Sequence, residues 1–335
     1  MASPLASYLG FAFQTAKGTA VTTTANYTYL PFTGASVGPI GMRRPLPVEA
    51  GGVPTIRDVV TTGFYAGGSL DFVPRVSGIG VLLKAALGFA SVSGTGPYTH
   101  TFTWNASDFT SIPYLSIMRR VSSLGWERMA DSRLDTLVIN AQASDIVTAS
   151  AAFVGLKPSV VTSTWAAGTL DATNPFISCT SALTSPDSNI TLKPIAASLT
   201  IANGLTVNNE FIIGSYYPDD VDVAMRTVTI RLVTRLDDYN TYRQAMYGTV
   251  SSTDPSVTPL KSTSFTMTLK TVTAANTESL VISVDSGGNT VWAAEPVVNS
   301  AGDTTQMMVL NGTFIMTGNS SPIKAVLQNA RSDYN

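Results

Sequence analysis

Residues 69–88 read SLDFVPRVSGIGVLLKAALG, and residues 229–248 read TIRLVTRLDDYNTYRQAMYG. The identities are few: Arg75/Arg235, Ala85/Ala245 and Gly88/Gly248. The same physical pattern nevertheless runs through both stretches in register, the second starting at 229 where the first starts at 69. Each opens with alternating apolar residues, Leu70, Phe72 and Val76 in one and Ile230, Leu232 and Leu236 in the other, which is the period of a strand with one buried face. Ser77 or Asp237 follows, a side chain able to accept a hydrogen bond at a helix N-terminus. Ile79, Leu82, Leu83, Ala86 and Leu87 then recur at helical spacing. Tyr239, Tyr242, Met246 and Tyr247 fill four of the five matching positions, with Arg243 standing where the first copy has Leu83. Both stretches stop at a glycine, which takes the left-handed conformation of a C-cap. The pattern predicts two related β-rich domains, each with one helix in its middle. It also predicts that Ile79, Leu82, Leu83 and Leu87, and Tyr239, Tyr242 and Met246, pack on the sheet of their own domain.

Working outward, Thr, Ser and Val dominate and period-two segments are common. Strands are predicted at 27–32, 98–104, 114–121, 134–140, 146–154, 196–202, 205–213, 227–233, 263–271, 280–284 and 307–316. Turn signals stand between them at Ser93-Gly94, Asn203-Gly204 and Gly287-Gly288-Asn289. Asn203-Gly204 predicts a hairpin joining 196–202 to 205–213. Asn311-Gly312 reads either as a turn or as a bulge in one long strand. Residues 34–58 hold four prolines and the pair Arg43-Arg44, which predicts a long loop, and long loops in compact domains usually carry function. The expected division is a first domain over 1–158, a linker over 159–175 and a second domain over 176–335 that ends in an arm after Gly318. The fold class is mainly β with an α+β flavour: two tandem β-sandwich domains, each flanked by one helix.

Composition narrows the function. The chain has 335 residues, of which 44% are hydrophobic and 13% charged, against about 25% charged in ordinary soluble domains. So few charges imply a surface largely buried against something else. A net charge of −2 gives no bulk attraction to nucleic acid or anionic membrane. The N-terminal MASPLASYLGFAFQTAKG has no basic region and no long apolar core, so no export signal is expected there. Residues 79–87, interrupted by Lys84, are too short to cross a bilayer. The lone Cys179 excludes an intrachain disulfide framework. Together these predict synthesis in a reducing cytoplasm.

Catalytic chemistry is missing. His100 is the only histidine and lies in the strand-like YTHTFTW, so neither a Ser-His-Asp nor a Cys-His site is expected. No metal-ligand spacing occurs, and no cofactor is expected. Asp219, Asp220 and Asp222 form the densest acidic cluster, without the glycine and glutamate of a calcium loop. Arg119, Arg120, Arg128 and Arg133 alternate with Glu127, Asp131 and Asp135, a pattern of ion-paired surface rather than a nucleic-acid groove. Trp104, Trp126, Trp165 and Trp292 are scattered, which argues against a sugar-binding platform.

Several stretches resemble the tail tube proteins of long-tailed bacteriophages: VVTTGFYAGGSLDFVPRVSGIGVLLKAALG, GTGPYTHTFTW, IPYLSIMRRV, DSRLDTLVINAQASDIVTASAAFVG, SLTIANGLTVNNEFIIGSYYPDD and TVTIRLVTRLDDYNTYRQAMYG. The resemblance implies a two-sheet sandwich flanked by a helix, in which one sheet of each domain joins an inner β-barrel on ring assembly. It implies rings stacked into a tube that carries DNA from capsid to host without binding it specifically. Implied partners are further copies of the chain and the tape measure, tail terminator and tail-tip proteins, in a virion assembled in the host cytoplasm. Single-domain members form six-membered rings, so a doubled chain implies homotrimeric rings with pseudo-six-fold symmetry. Arg43, Arg44, Asp219, Asp220 and Asp222 are the expected ring-stacking residues, and Asp135, Asp145, Glu278 and Asp285 the expected lumen residues. The alternatives are another virion component, such as a capsid decoration or tail-tip ring protein, or a β-sandwich adhesin or binding module.

Overall fold

The computed structural model describes residues 7–47, 55–56, 58–121, 125–162, 165–166, 168–256, 260–272, 278–295 and 306–334. It is mainly β, with antiparallel sheets and two α-helices among the described residues. The larger sheet runs Leu260–Ser262, Gly288–Ala294, Met307–Met316, Thr227–Arg235, Pro194–Ala202, Gly125–Gln142, Thr148–Gly155, Val59–Phe72 and Gly34–Ala35, with Gly38–Pro45 also paired to Val59–Phe72. The smaller runs Phe176–Leu183, Thr266–Thr271, Ser279–Val284, Ile323–Asn329, Tyr98–Trp104 and Gly88–Ser93.

Both sheets pass through both halves of the chain. In the larger one, Pro194–Ala202 lies antiparallel to Gly125–Gln142, from Ala196 opposite Gln142 to Ala202 opposite Thr136. In the smaller one, Ile323–Asn329 lies against Tyr98–Trp104. One hydrophobic cluster fills the space between, drawing Leu70, Leu83 and Leu137 from one half and Leu199, Ile230 and Ile282 from the other. Strand order also repeats within the larger sheet. Gly34–Ala35 and Gly38–Pro45, Val59–Phe72, Thr148–Gly155 and Gly125–Gln142 are neighbours in that order, as are Pro194–Ala202, Thr227–Arg235, Met307–Met316 and Gly288–Ala294. Phe72 faces Ala149 and its counterpart Leu232 faces Leu310.

The two helices form and stop where predicted, α1 spanning Ile79–Leu87 and α2 Tyr239–Tyr247. Each ends at its glycine, Gly88 at φ 98 and Gly248 at φ 77. Their caps differ from expectation. The N-caps are Gly78, which offers no side chain, and Asp238, whose carboxylate accepts from the Asn240 N–H at 2.9 Å. Asp237 instead pairs with Lys193 and Arg235. Helix α1 is wrapped by the core: Ile79, Leu82, Leu83 and Leu87 are all buried. Helix α2 turns a different side inward. Its buried residues are Thr241 and Gln244, Tyr242 and Met246 are half-buried, and Tyr239 is 63% exposed, which corrects its expected packing. Tyr239 precedes Thr241 by two residues, roughly 200° around the helix, so both cannot face the sheet.

Other expectations are corrected by strand pairing. The Asn203-Gly204 hairpin does not form, because Pro194–Ala202 is already paired on both edges. Leu205–Thr206 pairs instead with Asp222–Val223, and residues 207–213 are not strand. Met307–Met316 runs through Asn311-Gly312 without a register shift. Gly38–Pro45, inside the expected long loop, is a strand at the sheet margin, where prolines lose no ladder bond; residues 48–54 and 57 of that loop lie outside the described residues. Residues 159–161 of the expected linker belong to the strand Lys157–Val161. The expected C-terminal arm is instead the strand Ile323–Asn329 followed by a buried Tyr334. No described helix is long and apolar enough to cross a membrane.

Candidate assembly surfaces

The larger sheet has one face on the core and one open face. On the open face the register aligns two rows that cross the joint between the halves. One row is Asp71, Ser150, Val138, Thr200, Thr229 and Thr313. The other is Thr148, Asn140, Ser198, Arg231 and Asn311. Ser198 donates to the Asn140 side-chain oxygen at 2.6 Å, and Asn311 donates to Glu295 at 2.8 Å. Neutral Ser, Thr and Asn therefore dominate, with Asp71 and Glu295 offsetting Arg231 and Arg235.

The four expected lumen acids do not share this face. Asp135 is the extra residue at a register shift between Leu134 and Thr136, and its carboxylate accepts from the Leu205 N–H at 2.7 Å. Asp145 closes the turn after Gly125–Gln142, capping the Ile146 N–H. Glu278 accepts from Asn174, and Asp285 pairs with Lys324 at 3.8 Å, both beside the smaller sheet. The sequence signal of this open face is the Ser/Thr/Asn at alternate positions of the core strands.

The two rims of the larger sheet differ. From one rim Gly38–Pro45 and the first part of Val59–Phe72 project together as an arm. The arm's base rests on the 207–221 loop of the other half. Phe64 N–H donates to Tyr216 O at 2.7 Å, and Leu156, Val207 and Val221 form a small core beneath Tyr65 and Phe211. Arg43 and Arg44 are exposed on this arm, as are the apolar Leu46, Ile56, Val59 and Val60. Asp219 and Asp220 stand at the same rim and already have a partner, with Lys17 at 3.6 and 3.4 Å. Burial raises the Asp220 carboxyl, but the bond from Tyr114 OH at 2.7 Å, Arg133 and Lys17 outweigh it and hold it below the usual range. Asp222 lies in the small Asp222–Val223 strand and, after desolvation, helps to raise Glu210. The structure thus places the arginines and the aspartates on one rim and does not bring them together within a chain.

The basic cluster is ion-paired as expected at Arg119, which forks onto Glu127 and also donates to Val37 O at 2.7 Å. Trp126 and Trp165 are not scattered: with Tyr8, Tyr27 and Tyr29 they form one aromatic cluster, in which Tyr27 is pushed up to about 12 by burial. His100 is buried, its Nε2 lying 2.7 Å from Arg331 O. Among the described residues no group of His, Cys, Asp and Glu is placed to hold a metal ion.

No curated protein matches the chain. Two unequal rims and an open polar sheet face suit a subunit that repeats head to tail, and a family model described as phage tail tube protein matches residues 5–316: the chain belongs to the phage tail tube protein family.

Proposed function

We propose that this structural protein of the virion tail closes into rings of three chains, that the rings stack into the tail tube, and that the tube conducts DNA to the host. One observation carries the reading: the larger sheet contains the same strand order twice, joined inside the chain by Pro194–Ala202 against Gly125–Gln142. That joint is a template for the contact between chains. The first half ends in Gly34–Ala35 and Gly38–Pro45, the counterparts of Pro194–Ala202. The second half ends in Gly288–Ala294, the counterpart of Gly125–Gln142, with Leu260–Ser262 beyond it. Edge strands invite pairing, and closing the sheet into a barrel removes them. A closed ring repeats one rotation at each junction, so three chains supply six units, with half the joints already tethered.

On this reading the open face lines the bore. Its neutral side chains suit a conduit, since each cationic contact to a phosphate adds affinity that slows passage. The duplication itself, with divided halves at 1–158 and 176–335, belongs to the same proposal. Beyond copies of itself, the chain's partners are the tape measure, tail terminator and tail-tip proteins, met during assembly in the host cytoplasm. Electron cryo-microscopy cross-sections test it. Three chains per ring with both halves in the inner wall are expected; six chains per ring, or a second half lying wholly outside, overturns it.

A further inference from the structure

We propose that the arm of one chain seats in a groove at the opposite rim of a second copy in the next ring, beside that copy's Cys179; this rests on the stacked-ring reading. The groove opens between the edges of the two sheets and measures about 300 Å³. Ala141, Ala197, Leu183, Met267 and Leu269 give it an apolar lining, and the exposed Cys179 lies within it. Its position follows from the register. Val59–Phe72 starts in the arm and runs to Phe72, which faces Ala149; Gln142 faces Ala196 at that same far end. The groove therefore lies at the end of the sheet away from the arm.

The occupant is argued from complementarity on one chain. The arm exposes Leu46, Ile56, Val59 and Val60 at one rim, and a head-to-tail stack presents that rim to the groove-bearing rim of the next copy. Burying these residues there removes apolar surface from water on both sides. One acid is within reach of the arm's arginines, although Arg231 lines the same depression. Arg43 and Arg44 are exposed on the arm. The exposed Asp145 stands next to the groove, in a depression that shares Ala141, Gln142, Ala196 and Ala197 with it. The aspartates at 219, 220 and 222 sit on the arm's own rim, facing away from this contact.

The single cysteine supplies the test. Val59→Cys and Val60→Cys are made separately, because successive strand residues point to opposite faces. Tubes assembled from each are treated with a mild copper oxidant, which takes two electrons as the two thiols lose their protons and join. A disulfide requires the paired Cα atoms to come within about 7 Å. A ladder of covalent oligomers from at least one variant, lost when Cys179→Ser is added, is the expected result. Tubes that form without any Cys179-dependent ladder overturn the groove contact and leave the tube reading standing. Unsubstituted protein that forms no tubes at all overturns both. As a second measurement, Ala182→Arg places a charge at the exposed edge of the groove, where docking would bury it without a partner. It should shorten tubes roughly ten-fold while rings persist; tubes of unchanged length overturn the proposal.

Discussion

Arg226, from the second half, donates to the carbonyl oxygen of Ala86 at 2.8 Å, at the last turn of helix α1 in the first half. Its other bonds go to Asn203 Oδ1 and Phe109 O, both at 2.8 Å, and its guanidinium lies 4.5 Å over the Trp104 ring. Asn203 itself donates to Ala86 O and Leu134 O. Helix C-termini leave carbonyls without partners, and here the other half supplies them. Burial pushes the arginine down to about 10, so it retains its charge at neutral pH.

Replacing Arg226 by Met keeps the apolar stem and removes every donor. The Phe109 carbonyl and the Asn203 side-chain oxygen then lose their donor, while Ala86 O keeps only its bond from Asn203, at about 1–3 kcal/mol for each buried group left unsatisfied. Urea denaturation should show a clear fall in midpoint for R226M. An unchanged midpoint contradicts the claim that this residue ties the halves.

Leu83→Ala should destabilise the fold by about 2–5 kcal/mol, since Leu83 is completely buried in the shared core. Tyr239→Ala, at the exposed side of α2, should change the melting temperature of the unassembled chain very little. Equal effects from the two substitutions contradict the different placements of the two helices.

Tyr334 fills a site on the first half. Its hydroxyl donates to Ser77 O at 2.8 Å, and a Cβ at Gly80 would fall 2.1 Å from its ring. Tyr334→Ala empties that space and should cost about 3–5 kcal/mol, by analogy with other buried aromatic truncations. Gly80→Ala should destabilise as well, because the ring has to move. Calorimetry on both variants checks the pair.

Alkaline pH should unfold the chain through its buried phenols. Burial raises Tyr27 from 10.0 to about 12 and raises Tyr114 and Tyr334 above their usual range. A raised folded value means that the unfolded chain releases its proton first. This stabilisation is complete below pH 10 and is lost between about 10 and 12 for Tyr27. Arg226 and Lys84 act in the opposite sense, their depressed values making stability rise with pH, from about 10 toward 12.5 for Arg226, but they are two groups against four, since burial raises Tyr29 as well. Urea midpoints should therefore fall over that window, and a flat profile excludes the mechanism.

The open face allows a prediction about DNA. Thr200→Lys with Thr229→Lys adds adjacent cations to one row, the two positions being paired across strands. Tubes of the double variant should retain DNA in a salt-dependent way, whereas unsubstituted tubes should not. Retention by unsubstituted tubes removes the argument for a non-binding bore.

Local features were legible and partner choice was not. Both helices could be bounded because an apolar stripe and a terminal glycine lie within a few residues of each other. The strands 98–104 and 307–316 alternate cleanly and have those limits in the structure. Gly38–Pro45 was hidden by Pro39 and Pro45, which signal a loop unless the strand is known to lie at a margin. Asn203-Gly204 carries a genuine turn, with Gly204 at φ 61, yet the hairpin failed because Gly125–Gln142, far away in sequence, holds the edge that the hairpin needed. That the four expected lumen acids do not share the open face has a related reason. Four isolated carboxylates say nothing about which face a strand shows, whereas the Ser/Thr/Asn alternation does.

The position of Ile323–Asn329 makes the smaller sheet a product of both halves. This strand lies between Ser279–Val284 and Tyr98–Trp104, so the sheet has a gap in its middle until this segment docks. Contacts of such long sequence separation form late and slowly, and Tyr334 completes the α1 site from the same segment. Neither half therefore closes its core alone, and the two fold as one cooperative unit rather than one after the other.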